Sequence, residues 1–549
     1  MVKRSLFVDV KALFLLLSLV LYPQIVLSET NGATFESTVQ SLVKASFKKK
    51  ATLASQIAAY DDPRTLPILE LMLGGDLYYK KDNREVVSVE KQEGGDYQIT
   101  SVLSGQVVGV VGKRDVKKIR VNNKLRSQIR GEIARLSLFN KDPKIRLAAV
   151  NEIIKKIDAD SEVLLREAAS KETNGDVLQL LNIALALVDL KSDDKDKRLS
   201  ALSTLSESVD AQVKAEVLKL TEKNANGEYA EPDADVRKAA QKAIKTIDGN
   251  IKYYELIETL FFGLSLGSVL LLAAIGLAIT FGVMGVINMA HGELIMIGAY
   301  TTYVVQLLMP NYIDYSLFVA IPAAFIVAGL VGILIERGVI QFLYGRPLET
   351  LLATFGISLI LQQLVRTIFS PLNRSVETPS WMSGALEINS VLSLTFNRLY
   401  IIIFSIIVFV MLLLLLKRTV FGLQMRAVTQ NRKMARAMGV RSTWVDALTF
   451  GLGSGIAGVA GVALSQLTNV GPNMGQAYII DSFMVVVFGG VGNLWGTLVA
   501  AFSLGVVNKF LEPWSGAVLA KILVLIFIIL FIQKRPRGLF PQKGRNAEN

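Results

Sequence analysis

Repeated apolar stretches in the second half of the chain constrain its fold more than any other feature. Eight of them occur, near residues 256–280, 285–308, 315–336, 349–368, 399–416, 446–468, 479–510 and 515–533. Most approach the roughly 17 to 25 residues that an α-helix needs to cross a lipid bilayer. We therefore expect an all-α polytopic membrane domain over residues 251–540, followed by a short cytoplasmic tail at 541–549.

The residues before this region have a different composition, rich in Lys, Asp and Glu between residues 29 and 252. The whole chain of 549 residues has 59 Lys and Arg against 47 Asp and Glu, and 51% of it is hydrophobic. That apolar excess argues against a disordered chain and against an ordinary soluble enzyme. The basic excess lies largely in loops beside the apolar segments, so it requires no nucleic-acid partner. Because the chain has no cysteine, thiolate metal sites and disulfides are excluded, and we expect no metal site.

Residues 1–28 resemble a secretory signal peptide. Lys3, Arg4 and Lys11 supply the basic residues, an apolar run covers 12–21, and Val26-Leu-Ser28 has the pattern of a cleavage site. An uncleaved anchor helix is the alternative, although the apolar run is short for a span. Both interpretations place the following domain, residues 29–250, outside the cytoplasm.

The domain at 29–250 shows a recurring helix-start pattern. Asp62-Pro-Arg64, Asp142-Pro-Lys-Ile-Arg146 and Asp233-Ala-Asp-Val-Arg237 carry it, and the last two continue with small and aliphatic residues on one helical face. The pattern resembles HEAT-type helical repeats, which stack helix pairs and usually bind protein, so we expect partner docking or scaffolding. Alternating apolar and polar residues near 76–120, around Gly94, Gly95 and Gly105, predict a small β insertion.

Loop charge predicts the orientation of the apolar segments. By the positive-inside rule, the basic loops are cytoplasmic and the charge-balanced loop from Ser370 to Arg398 is external. The basic residues are Arg337, Arg346, Lys417, Arg418, Arg426, Arg432, Lys433, Arg436, Arg441, Lys534, Arg535 and Arg537. The basic carboxyl terminus is cytoplasmic only if the glycine-interrupted segment 479–510 turns back within the membrane. Irregular backbone at that depth is tolerated only where it packs against protein or lines a water-filled path.

Two glycine-rich and alanine-rich helices are similar to each other. Residues 263–278 lead toward Asn288 and then Tyr300, and residues 451–464 lead toward Asn473 and then Tyr478. They predict a possible inverted repeat with a substrate path between its halves. The alternative is that small residues simply permit tight helix packing.

Polar residues inside or beside apolar segments are the candidates for a substrate path. His291 is the only histidine of the chain, and an ionisable residue at such a position is costly unless it faces an interface, a partner or a polar path. The alternative is that Asn288 and Glu293 cap a turn and that His291 is satisfied locally. The candidates are Asn288, His291, Gly292, Glu293, Tyr300, Asn473, Asp481, Gly489, Gly490, Gly492 and Asn493. Lys521, isolated in the last segment, is expected either to pair with an acidic neighbour or to reach toward the bilayer surface.

The basic loop at 417–446 predicts a short amphipathic helix near 428–440 that Gly439 ends. Such a helix can lie in a groove of another protein, or alternatively at anionic lipid headgroups. The residues assigned to this coupling loop are Arg426, Arg432, Lys433, Met434, Arg436, Ala437, Met438 and Gly439.

No nucleotide-binding P-loop sequence occurs in the chain, so any ATP must be hydrolysed by another protein. We expect no catalytic residues and no bound cofactor.

Four ordered motifs carry a family resemblance: Thr280 to Tyr300, Gly345-Arg-Pro347, the loop from Arg426 to Val440, and Val485 to Ala501. Together they resemble the permeases of bacterial branched-chain amino acid ABC importers, and the exported extension is similar to the urea-transporting members. The resemblance implies an inner-membrane subunit that forms half of a translocation path, with a second homologous permease, two cytoplasmic ATPase subunits that use ATP, and a periplasmic solute-binding protein. It also implies that the coupling loop contacts the ATPase.

Urea, a small neutral solute, is the expected substrate, because no clear pair of charges for an amino acid is evident in the sequence. Branched-chain amino acids or short amides are the alternative substrates. A passive channel or ion-coupled carrier is a second alternative, in which His291 and Glu293 relay protons.

Overall fold

The computed structural model describes residues 34–92, 96–155, 159–223 and 227–540. The expected signal peptide at 1–28 and tail at 541–549 lie outside them. The described residues form two compact units, one within 1–208 and 215–243, the other within 209–214 and 244–549.

The first unit is helical with one small sheet. Its helices are α1 (Phe35–Ser41), α2 (Phe47–Ala58), α3 (Thr65–Gly74), α4 (Asn123–Ser137), α5 (Pro143–Ile154), α6 (Ala159–Lys171), α7 (Gly175–Asp189) and α8 (Lys195–Leu205). The strands are β1 (Leu77–Lys80), β2 (Val86–Lys91), β3 (Tyr97–Ser101), β4 (Val107–Val111) and β5 (Val116–Lys118), all antiparallel in the order β4-β3-β2-β1-β5. A small sheet is therefore present where the alternating sequence predicts one. Two further helices, α9 (Ala211–Lys219) and α10 (Ala234–Met284), include residues of both units.

Three helix starts in the first unit share one hydrogen-bond arrangement. An aspartate accepts from a backbone N–H of the first turn, and the arginine four residues later donates to two carbonyls of the preceding loop. The pairs are Asp142 with Arg146, Asp194 with Arg198 and Asp233 with Arg237. The middle copy is not evident from the sequence pattern, and the Asp62 copy differs, because Asp62 accepts from Arg64 itself. This repetition supports the HEAT-like assignment, which stays a prediction.

A partly buried ion pair joins α5 to the residue that follows α6 in the first unit. Arg146 donates from Nε to Glu172 Oε2 and from Nη2 to Glu172 Oε1, both at 2.7 Å. The guanidinium stabilises the charged carboxylate and lowers the pKa of Glu172 to about 2. This pair fixes the start of α5 against the end of α6.

The second unit contains the apolar segments. Its helices after α10 are α11 (His291–Leu308), α12 (Ile313–Gly338), α13 (Pro347–Phe369), α14 (Phe396–Arg418), α15 (Val420–Gln430), α16 (Arg432–Ala437), α17 (Ser442–Ser465), α18 (Met474–Gly489), α19 (Leu494–Ser515) and α20 (Ala517–Lys534). A two-stranded ribbon, β6 (Ala385–Glu387) with β7 (Ser393–Thr395), lies before α14.

Seven helical stretches of the described residues are long and apolar enough to cross a membrane, against the eight predicted segments. They are Ala234–Met284, Pro310–Phe342, Pro347–Phe369, Phe396–Arg418, Ser442–Ser465, Leu494–Ser515 and Ala517–Lys534. The predicted segment 285–308 is not among them, because its first residues are irregular and α11 begins with polar residues. The predicted segment 479–510 divides into the short α18 and the span α19.

The division of that segment follows from its glycines. Gly490 has φ 103° and Gly492 has φ 80°, a region in which side chains with a Cβ are strained. The backbones of Gly489 and Gly496 then meet so closely that a Cβ on either would overlap the other. The segment therefore folds back on itself as the glycine pattern predicts, while its depth in the bilayer stays a prediction.

Glycine pairs also join the two halves of the second unit. A Cβ on Gly276 of α10 would overlap Gly453 of α17, and a Cβ on Gly292 of α11 would overlap Gly475 of α18. In addition, α12 packs on α17 while α19 packs on α10. The helices that correspond to each other in the predicted repeat therefore meet at small residues. This arrangement is what an inverted repeat would produce, but tight packing of small residues alone would produce it as well.

Candidate functional site

A polar stripe runs the length of α13. Thr350, Thr354, Ser358, Gln362 and Arg366 follow one another at intervals of four residues, so each lies beside the next in a row that winds slowly around the helix. The first four are buried and Arg366 is half-buried, whereas other faces of α13 are exposed and apolar. At 1.5 Å per residue, the stripe extends over roughly 24 Å. We call these five residues, together with Glu293 of α11, the polar seam.

Glu293 is the buried acid of the polar seam. It is 1% exposed, and its Oε1 accepts from Ser358 Oγ at 3.0 Å and from Gln362 Nε2 at 2.7 Å. Its Oε2 has no hydrogen-bond partner among the residues that the structure describes. The alternative that Glu293 caps a turn is therefore wrong, because its partners lie on another helix.

The polar seam continues in both directions from Glu293. Toward residue 350, Thr354 Oγ1 accepts from the backbone N–H of Met289 at 3.1 Å. Toward residue 366, Arg366 Nη2 donates to Asn473 Oδ1 at 2.7 Å. The exposed Asn473, a predicted path residue from the second half, thus joins the seam.

Several unpartnered buried atoms occur close together in the sequence around Glu293. Of ten buried side-chain nitrogen and oxygen atoms without a hydrogen-bond partner in the described residues, four lie between residues 288 and 300. They are Asn288 Nδ2, His291 Nδ1, Glu293 Oε2 and Tyr300 OH. Because buried polar groups are almost always hydrogen-bonded, each of these atoms has capacity left for a hydrogen bond to a water molecule or a polar solute.

Three predicted path residues near the start of α11 also have local structural roles. Asn288 Oδ1 accepts from the N–H of Ala290 at 3.0 Å, and His291 Nε2 lies 2.8 Å from the carbonyl oxygen of Ala273. Gly292 lies in the first turn of α11, where the absence of a side chain permits the close contact with Gly475 of α18.

The remaining candidates of the second half lie in two other places. Asp481 of α18 accepts from Lys521 of α20 at 3.0 Å, which agrees with the expected acidic neighbour of Lys521. Gly489 and Gly490 are in the fold-back described above, where the segment 535–540 packs on them.

Gly492 and Asn493 line a cleft of about 680 Å³ that also contains Arg426 of the coupling loop. Asn493 caps α19, because its Oδ1 accepts from the N–H of Trp495 at 3.1 Å. The predicted path residues are therefore not gathered in one site.

The coupling loop forms two helices rather than the single helix predicted near 428–440. Asn431 is extended, with φ −150° and ψ 99°, and its side chain caps α16 by accepting from the N–H of Met434 at 2.9 Å. Met434 and Met438 are 61% and 79% exposed, and Ala437 beside them is exposed as well. The predicted apolar face is therefore open, while Gly439, with φ 86°, ends α16 as expected.

An ion pair holds α16 against α17. Arg432 donates from Nη1 and Nη2 to the two carboxylate oxygens of Asp446, at 2.6 and 2.9 Å. Asp446 is 1% exposed, and the guanidinium also lies 4.6 Å from the ring centroid of Tyr344. Arg436 adds a bond from Nε to Ser442 Oγ at 2.6 Å, whereas Lys433 is exposed. The basic residues of the loop are thus partly structural.

Sequence reasoning missed the α13 residues of the seam and the role of Asp446. The signal for the seam is the four-residue spacing of single polar residues in an apolar segment. Asp446 gives no such signal, because its partner lies fourteen residues away. Among the described residues, no group of three acidic, histidine or cysteine residues is placed to hold a metal ion.

Comparison with known proteins places the second unit in a family. A family model described as the branched-chain amino acid transport system permease component matches residues 259–532. No solved structure gives a significant match.

Several curated relatives match over the same part of the chain. The high-affinity branched-chain amino acid transport system permease protein BraD of Pseudomonas aeruginosa is 29% identical over 295 residues, 52% of this chain and 96% of its own. The corresponding LivH proteins of Salmonella typhimurium and Escherichia coli are 31% and 30% identical, each over 52% of this chain and 94% of their own.

These relatives are transport subunits, which confirms the prediction of a transport subunit rather than an enzyme. None of their printed names mentions urea, so the comparisons do not support the expected urea specificity. They match about half of the chain, and the family model covers only residues of the second unit. The chain belongs to the family of branched-chain amino acid transport system permease components.

Proposed function

We propose that this chain is the permease subunit of an ATP-driven importer in a bacterial inner membrane and that its solute path follows the polar seam. The observation that carries the proposal is the row of four buried polar residues along α13 together with the unpartnered Oε2 of Glu293, whose other oxygen accepts from two of them. A stripe of this kind is costly in a membrane helix unless it faces a path, a partner or the bundle interior.

Branched-chain amino acids are the substrates that the relatives' names favour. The surroundings of the seam agree, because the buried Met296 and Val365 lie in the hydrophobic cluster next to it. An aliphatic side chain would find apolar neighbours there while its polar groups meet the seam.

Urea is the second candidate substrate. Four of the six seam residues, Thr350, Thr354, Ser358 and Gln362, are uncharged hydroxyl or amide side chains, which suit a small neutral solute. Short amides fit the same chemistry.

Transport by this subunit requires partners. Family membership supports a second permease, two cytoplasmic ATPase subunits and a periplasmic solute-binding protein. The exposed Met434 and Met438 offer an apolar surface for an ATPase groove. A passive channel or ion-coupled carrier would need no such surface.

The first unit is proposed to lie in the periplasm and to dock a partner protein. Its three repeated helix starts support a helical repeat, an architecture that commonly binds protein. Protease added outside intact spheroplasts should remove this unit, and complete resistance in spheroplasts with cleavage only after lysis would contradict the placement.

One experiment tests the proposed function. The intact complex is purified through a tag on this chain, its subunits are identified, and ATP hydrolysis is measured with the binding protein and leucine, isoleucine, valine, urea or acetamide. We expect co-purifying ATPase subunits and stimulation by the branched-chain amino acids. Stimulation by urea alone would favour the second candidate, and solute movement through the chain without partners would refute the importer.

A further inference from the structure

We propose that Glu293 and Arg366 recognise the two charged groups of a zwitterionic α-amino acid, with Glu293 binding the ammonium group and Arg366 binding the carboxylate. This inference rests on the proposed function, since it assigns residues to the solute of that path. It differs from the expectation, drawn from the sequence, that no clear pair of charges for an amino acid is evident.

Glu293 has the free acceptor that an ammonium group needs. One of its oxygens already accepts from Ser358 and Gln362, and the other, buried and without a partner in the described residues, is left for an incoming N–H. A buried carboxylate is destabilised unless a positive charge or further hydrogen bonds compensate it. The ammonium group supplies both, because it carries a positive charge and three donors.

Arg366 has the free donors that a carboxylate needs. A guanidinium has five N–H donors in a planar fork that suits carboxylates. Within the described part of the chain, Arg366 makes one hydrogen bond, to Asn473, so most of its donors are available. Arg366 is half-buried and lies at the end of the seam, so part of its side chain is accessible.

Glu293 and Arg366 are close enough along the polar seam for one small molecule to reach both. Gln362 contacts Glu293 directly, and Arg366 follows Gln362 by four residues, a separation of about 5 to 6 Å between Cβ atoms. Arg366 is near enough to attract the Glu293 carboxylate, yet the ion pairs of the described residues do not include one between them. A zwitterion would compensate both charges together, whereas urea would leave both without a counter-ion.

Mutants of the complete complex test the assignment. The complex is reconstituted in proteoliposomes with saturating binding protein, and leucine uptake is compared for the wild type, Glu293→Gln, Arg366→Gln and Arg366→Lys. Thr367→Val, on the exposed face of the same helix, is the matched control. We expect kcat to fall at least tenfold in Glu293→Gln and Arg366→Gln, to recover partly in Arg366→Lys, and to stay unchanged in the control.

Leucine uptake at the wild-type rate in both charge-removing variants would overturn the assignment. Absence of leucine uptake in the wild type would instead rule out branched-chain amino acids as the proposed substrate and favour the second candidate, urea, so the two failures are distinguishable.

A binding measurement on the unmutated chain avoids any dependence on the folding of variants. The purified full-length protein in lipid nanodiscs is heated with leucine, leucinamide or N-acetylleucine, which differ in the charges they retain. We expect leucine to raise Tm more than either analogue. Equal stabilisation by all three compounds would contradict recognition of both charges.

Discussion

The ion pair between Arg432 and Asp446 gives a prediction whose size follows from burial. Asp446 is 1% exposed as a residue, whereas the side chain of Arg432 retains 29% of its accessible surface. In Arg432→Met, the aspartate stays buried without its counter-ion, and removal of one partner from a buried pair costs about 3 to 5 kcal/mol. In Asp446→Asn, the arginine can still reach water and the asparagine can still accept a hydrogen bond, so we expect about 1 kcal/mol.

The double variant Arg432→Met with Asp446→Leu should be more stable than Arg432→Met alone, since replacement of both charges by apolar groups is often close to neutral. Reversible unfolding in mixed detergent micelles, followed by tryptophan fluorescence, measures all three free energies. An Asp446→Asn variant that is less stable than Arg432→Met, or a double variant that is no more stable than Arg432→Met, would refute the reasoning.

The same pair predicts a functional effect. If it transmits force between α16 and α17, Asp446→Asn should retain its ATPase subunits and lose the stimulation of ATP hydrolysis by solute-loaded binding protein. Normal stimulation of ATP hydrolysis in this variant would show that the ion pair is not needed for coupling.

Three further predictions concern other parts of the chain. Met434→Asp with Met438→Asp should leave membrane insertion intact and abolish co-purification of the ATPase, and unchanged co-purification would refute the contact. Gly298→Ala should destabilise by about 1 to 3 kcal/mol or more in thermal unfolding, because its Cβ would overlap a backbone carbonyl of α17, whereas Gly356→Ala, with open space around it, should not. Because the pKa of Glu172 is lowered, its stabilising pair is complete above about pH 4.5 and is lost as the pH falls toward about 2. The protection of α5 and α6 amides from hydrogen exchange, measured relative to the intrinsic exchange rate at each pH, should therefore fall over that range, and less so in Glu172→Gln.

Some features of the membrane unit could be predicted from local sequence. The glycines at 489, 490 and 492 mark a fold-back because only glycine adopts such backbone angles easily and permits such close contact. An isolated lysine at 521 in an apolar segment must find an acid or the bilayer surface, and it finds Asp481.

Other features depend on tertiary contacts that no local pattern shows. The spacing of polar residues in α13 predicts a shared face, but only the fold brings that face against Glu293. The coupling loop forms two helices because the side chain of Asn431 caps α16. That capping hydrogen bond competes with the backbone conformation that would continue the preceding helix. The facing glycines of α10 and α17 are more than 170 residues apart, so their contact is visible only in the structure.

The central claim, that solute moves along the polar seam, is tested most directly by thiol accessibility, since the chain has no cysteine of its own. Cysteine is introduced singly at Ser358 or Gln362 in the seam, and at Ile360 on the exposed apolar face of α13. The rate of modification by a small water-soluble thiol reagent is then measured in the assembled complex during ATP turnover. We expect modification at Ser358 and Gln362, slowed by the transported solute, and little at Ile360. Absence of modification in the seam, or modification that the solute does not slow, would contradict the account.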